Sequence, residues 1–181
     1  EGIPTFADIL ALVAGRVPLL VELKDQTLRM AETDARLETA IAAALAGYKG
    51  PVAVMSFNPH CIAHMARLAP GLPRGLTTSA YDPTDWAPLP PDTCDRLRPI
   101  PDYDRVGACF ISHEAADLTR PRVADLAAQG AVILCWTIRS AEAEAAARRA
   151  LELDLARPAS VEGLYRDWPA SDDVIKEIGR A

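Results

Sequence analysis

The chain has 181 residues, half of them hydrophobic and 24% charged, with 19 Lys and Arg against 25 Asp and Glu for a formal charge of −6. That balance is the one of a single folded domain with a sizeable core, and it excludes a disordered chain. No basic run marks a nucleic-acid binder, and no apolar run approaches the roughly 18 residues needed to cross a bilayer.

Thr5 is placed to cap a helix that carries Phe6, Ile9, Leu10 and Val13 on one side and ends at Gly15. The next stretch, Val17 to Asp25, reads as a fully buried strand whose far end alone is polar. Its period of two places Leu20, Glu22 and Lys24 on one face and Leu19, Val21 and Leu23 on the other. An acid and a base at the end of so apolar a strand each need a partner, which makes Glu22 and Lys24 candidates for a site.

A helix from Thr33 or Asp34 to Ala46 follows, with Leu37, Ile41 and Leu45 in register, and then a second buried strand, Val52 to Phe57. Asn58-Pro59 supplies a cap and a first-turn proline for the next helix. Short strands are expected at Leu72 to Thr78 and Cys109 to Ser112, a helix at Thr119 to Gln129, and the clearest strand of all at Ala131 to Thr137. Ser140 caps an Ala- and Glu-rich helix, and a last strand, Val161 to Tyr165, leads to Asp167-Trp168-Pro169 and a helix capped by Ser171. Alternation of this kind predicts a parallel sheet with helices outside it. It breaks once, over residues 79–108, where Pro83, Pro88, Pro90, Pro91, Pro99 and Pro101 predict a long irregular connection with one helical turn near Asp92 to Leu97. Connections of that length in an α/β domain tend to be functional or to act as lids.

Cys61, Cys94, Cys109 and Cys135 lie far apart without zinc-ligand spacing, so free thiols and a reducing, cytoplasmic compartment are expected.

The phrases IPTFADILALVAGRVPLLVELK, VAVMSFNPHCIAHMARLAPGLPRGL, AVILCWTIRS and VEGLYRDWP, in that order, resemble the glycerophosphodiester phosphodiesterase family over nearly the whole chain. The resemblance implies a (β/α)₈ barrel, a TIM barrel, that hydrolyses glycerophosphodiesters to glycerol 3-phosphate and an alcohol with a divalent cation, Mg²⁺ or Ca²⁺. It implies that Glu22 binds the metal, that Lys24 lies near the phosphate, and that Phe57 and Trp136 shape the apolar wall of the pocket. The small-molecule phosphodiester is the expected partner.

The family's histidine-arginine-glycine motif, the glutamate and aspartate after it and a second histidine have no counterpart here, and Arg166 stands where a threonine is usual. Six strand candidates, starting near Val17, Val52, Leu72, Cys109, Ala131 and Val161, fall short of eight, and a barrel of about 250 residues exceeds this chain by roughly two βα units. The expectation is an incomplete single barrel domain over residues 1–181, strands three to eight, with the catalytic histidines in a missing N-terminal segment. Such a piece has open sheet edges, so instability alone or association into a homo-oligomer is expected. The alternatives are a non-catalytic barrel that binds or scaffolds, or a lysophospholipase D-like phosphodiesterase on the same fold.

Other polar residues have plainer readings. His60 and His64, one helical turn apart, read as a solvated face outside the barrel, and His113 as a loop histidine at a strand end, with a local role beside Glu114 as the sharper alternative. Phe57 and Trp136 have core packing as a serious rival. Glu142, Glu144, Asp172 and Asp173 read as helix-dipole partners.

Overall fold

The computed structural model describes residues 2–154. Helix α1 is Phe6–Val13, opened by a reciprocal cap in which Thr5 Oγ1 accepts from the Asp8 N–H at 3.2 Å and Asp8 Oδ2 accepts from the Thr5 N–H at 2.8 Å. Its end is made by Ala14 in the left-handed region at φ 49°, one residue before the expected glycine. Strand β1 is Leu19–Glu22, shorter than the sequence pattern. Pro18 has no N–H to give a ladder, so pairing begins where the Leu19 N–H donates to the Pro51 carbonyl at 2.9 Å, and Val17 is left exposed.

The remaining elements are α2 (Arg36–Leu45), β2 (Val52–Ser56), α3 (Pro59–Leu68), β3 (Arg74–Thr78), α4 (Pro91–Leu97), β4 (Phe110–Glu114), a 3₁₀ turn at Ala115–Asp117, α5 (Pro121–Ala128), β5 (Val132–Trp136) and α6 (Ala141–Asp154). Asn58 caps α3 by accepting from the His60 N–H, with Pro59 at the first helical position. Ser140 likewise accepts from the Ala143 N–H at the start of α6. The sixth strand candidate, Val161 to Tyr165, lies outside the described residues, as do Arg166, Asp167, Trp168, Pro169, Ser171, Asp172 and Asp173.

Each strand pairs in parallel with the next, in the order β1-β2-β3-β4-β5, and the sheet curls into a half-barrel. Its outer face meets the helices. Leu19, Val21, Leu23, Val52 and Val54 pack with Leu10, Leu45 and Met65 there, and Leu76, Ile111 and Ile133 pack with Ile62, Val123 and Leu126. The inner face gathers Leu20, Ala53, Met55, Phe110, Val132 and Leu134. β1 is therefore two-faced as its period requires, but it is half-buried throughout rather than fully buried.

Gly75 is what lets the inner face close. The buried Phe110 ring lies across it, and a Cβ there would sit 2.4 Å from ring carbons. Between β3 and β4 the only helix is α4, and the connection is held on the domain by its own apolar cluster of Met30, Tyr81, Leu89, Cys94 and Leu97. The four cysteines are unpaired, and burial, with the Glu38 carboxylate beside it, pushes the Cys61 thiol up to about 12. Such a thiol is inert at neutral pH.

Candidate active site

Parallel strands bring their C-terminal ends to one rim, and in a βα barrel that rim carries the chemistry. Glu22 ends β1 and Lys24 follows it on the same side. Their side chains meet at 2.7 Å between Lys24 Nζ and Glu22 Oε2. Lys24 is 73% exposed in this contact, so the pair is loosely held and the ammonium can turn to another anion without a large loss. The other carboxylate oxygen, Glu22 Oε1, is buried and has no hydrogen-bond partner. A buried carboxylate oxygen without a donor is costly, and an added cation or donor removes that cost.

The loop after Lys24 is organised by Asp25. Its Oδ1 accepts from the Thr27 N–H, the Thr27 hydroxyl and the Asn58 side-chain amide, and its Oδ2 from the Met30 N–H. Burial pushes this carboxyl up, and the four donors outweigh it, holding it below the usual carboxylate range. The Asn58 amide also donates to the Ala31 carbonyl at 2.7 Å. One buried asparagine thus caps α3 and pins residues 25–31 beside Glu22. From the sequence Asn58 is legible only as the cap; the Asp-x-Thr spacing at Asp25 and Thr27 is the local signal for the loop.

An aromatic wall stands on the same rim. Phe57 follows β2, with the Trp136 ring at its edge, centroids 5.5 Å apart and planes at 84°. Trp86, from the proline-rich connection, lies 4.9 Å from the same ring at 65°. All three rings are half-buried. The structure therefore brings together Phe57 and Trp136, which the sequence singled out, and adds Trp86, which it did not. A tryptophan in the connection that leaves the C-terminal end of β3, too proline-rich to be a plain crossover, is the available signal.

Both indoles have committed donors. The Trp136 N–H donates to the Ser112 carbonyl at 3.0 Å and the Trp86 N–H to Ser79 Oγ at 2.9 Å. Glu114, at the end of β4 and in register with Trp136, accepts from the Ala80 N–H at 3.1 Å.

The histidines lie elsewhere. His113 is a strand residue, not a loop residue, and it points away from the rim into the layer between sheet and helices, fully buried. Its Nδ1 is 2.8 Å from the Thr78 hydroxyl and its Nε2 3.1 Å from Asp117 Oδ2. One position earlier or later in β4 would have faced inward. His60 and His64 are not on a free solvated face. The loop pinned by Asn58 brings Glu32 over the start of α3, 2.6 Å from His60 Nδ1 and 2.7 Å from His64 Nε2. Among the described residues no group of three or more His, Cys, Asp and Glu side chains is arranged to hold a metal ion, and no helix is long and apolar enough to cross a membrane.

The model of the glycerophosphoryl diester phosphodiesterase family matches residues 1–171. The chain belongs to that family. No curated protein sequence matches it. Among solved structures, an Oleispira antarctica phosphodiesterase in complex with the product sn-glycerol-3-phosphate is 19% identical, with a TM-score of 0.59 over 96% of this chain and 61% of that one. A protein from Silicibacter pomeroyi DSS-3 assigned as a glycerophosphoryl diester phosphodiesterase is 20% identical, with a TM-score of 0.63 over 97% of this chain and 57% of that one. One from Galdieria sulphuraria assigned as a glycerophosphodiester phosphodiesterase is 16% identical, with a TM-score of 0.59 over 97% and 64%. At these identities the likeness is one of fold. The chain spans about three-fifths of the length of these structures. As a glycerophosphoryl diester phosphodiesterase family member, it carries Glu22, Lys24, Phe57 and Trp136 at strand ends on one rim of its half-barrel.

Proposed function

We propose that this chain forms part of the catalytic mouth of a metal-dependent phosphodiesterase that cleaves glycerophosphodiesters to glycerol 3-phosphate and an alcohol. The observation that carries the reading is Glu22: one oxygen on Lys24, the other buried and unpartnered, at the C-terminal end of a barrel strand. A hard divalent cation such as Mg²⁺ or Ca²⁺ takes oxygen ligands, and Glu22 Oε1 is suited to be one. Bound there, the cation would supply charge neutralisation on the phosphate and an activated water.

The chain's own residues divide the rest of the work. Lys24, exposed beside Glu22, would stabilise negative charge on the phosphate oxygens. Phe57 and Trp136 exclude water from one side and orient the alcohol. The further metal ligands and the acid–base pair are expected from a segment of the protein other than the described residues. The product seen with the Oleispira antarctica protein, sn-glycerol-3-phosphate, is the product proposed here.

The test is Glu22→Gln in the full-length gene product, assayed on glycerophosphodiesters with Mg²⁺ or Ca²⁺. Loss of one charged ligand is expected to lower turnover at least about 100-fold with an unchanged circular dichroism spectrum. Full activity in Glu22→Gln would remove Glu22 from the site. Absence of turnover in the unaltered protein, with lysophospholipids also inert, would leave a binding barrel as the better reading.

A further inference from the structure

We infer that Trp86, on the proline-rich connection between β3 and β4, is a specificity-determining residue of the same mouth, and that the wall it completes with Phe57 and Trp136 selects a diester whose alcohol bears a quaternary ammonium group. The inference rests on the phosphodiesterase reading and adds the class of alcohol. It starts from how Trp86 is held.

The base of the connection is clamped from several sides. Ala80 donates its N–H to Glu114 Oε2 at 3.1 Å, and Arg98 donates to the carbonyls of Ala80 and Tyr81 at 2.8 and 2.9 Å. Ser79, fully buried, accepts at one oxygen from both the Tyr81 N–H at 2.8 Å and the Trp86 indole at 2.9 Å. The Tyr81 ring, itself buried, and the Phe57 ring each pack 4.9 Å from Trp86. Trp86 is therefore a fixed part of the rim, set before any ligand arrives, and fixed aromatic walls lose little entropy on binding.

What such a wall can recognise follows from its hydrogen-bonding state. The indole N–H groups of Trp86 and Trp136 are both consumed internally, and Phe57 has none. The wall offers π surfaces and no donors. A polyol pressed against it would leave hydroxyls unpaired, at a cost. A trimethylammonium group has no hydrogen-bonding atoms to satisfy and is attracted to the faces of Trp and Phe rings. The Glu114 carboxylate stands at the end of β4, in register with Trp136 on the same rim, and a negative charge beside the wall also favours a cation.

The test compares glycerophosphocholine with glycerophosphoinositol in the full-length protein and in Trp86→Ala and Trp86→Phe. The unaltered protein is expected to favour the choline diester in kcat/KM. Trp86→Ala should shrink that preference about ten-fold, through KM and not kcat, while Trp86→Phe, which keeps a ring, retains most of it. A choline-to-inositol ratio unchanged in Trp86→Ala, or an equal loss on both diesters, would overturn the inference and leave Trp86 a packing residue. A second readout does not need turnover: choline alone should alter the tryptophan fluorescence of the unaltered protein and act far more weakly on Trp86→Ala. If neither diester is hydrolysed but the choline response is present and depends on Trp86, the hydrolytic reading falls and the ammonium wall stands. If choline has no effect and neither diester is cleaved, both fall.

Discussion

His113 shows how a single strand position decides between chemistry and structure. It lies at the C-terminal end of β4, where a barrel enzyme keeps its reacting groups, yet its ring faces outward to Thr78 and Asp117. Burial holds the imidazole below its ordinary value against the pull of Asp117 toward the charged form. Below about pH 6.5 the unfolded chain takes up a proton that the folded one refuses. This contribution to stability is therefore complete above that pH and is lost as pH falls toward the folded-state value. The melting temperature of the unaltered protein is expected to drop more steeply than that of His113→Asn between about pH 7.5 and 5.5. Equal slopes in thermal melts of the two proteins would show that His113 takes up its proton as readily folded as unfolded. His60 and His64 are common to both proteins, so the difference isolates His113.

At the scale of elements, the inner face depends on a missing side chain. β3 carries Gly75 where neighbouring strands carry larger residues, and the Phe110 ring of β4 occupies the space. Gly75→Ala is expected to destabilise the fold by about 1–3 kcal/mol, since the ring is buried and its neighbours are packed. The urea midpoint measures this, and adding Phe110→Leu should recover part of the loss. An unchanged midpoint would mean that the ring moves aside at no cost. The same pairing of strands explains what could be read in advance. The buried runs of β2 and β5, the Asn58-Pro59 start of α3 and the Ser140 cap of α6 are local signals, and each lies where the pattern placed it within a residue or two. β1 starts later than its apolar run, at Leu19 and not Val17, because Pro18 has no N–H for a ladder.

For the whole molecule, the rim is built from five consecutive parallel strands, so Glu22 at one side and Trp136 at the other belong to one continuous sheet. A cation that binds only the folded rim must stabilise all of it. At a metal concentration of about 100 times its Kd the gain is about 2.7 kcal/mol, which in a domain of this size raises Tm by several degrees. The full-length protein is expected to show this rise with Mg²⁺ or Ca²⁺, and Glu22→Gln is expected to lack it. A rise of equal size in Glu22→Gln, read by calorimetry with and without chelator, would place the cation away from Glu22.

By itself the sequence determined the alternation of strands and helices, the two faces of β1, and the choice of Glu22 and Lys24 as polar residues that an apolar strand end cannot hold without partners. Those follow from periodicity and from desolvation, which are local. Only the tertiary structure decided that Trp86 joins Phe57 and Trp136, that Glu32 covers His60 and His64, and that His113 turns away from the rim. These are contacts between segments far apart in the chain, set by how irregular connections fold back over the sheet, and a proline-rich loop carries no period from which its side chains' directions can be read.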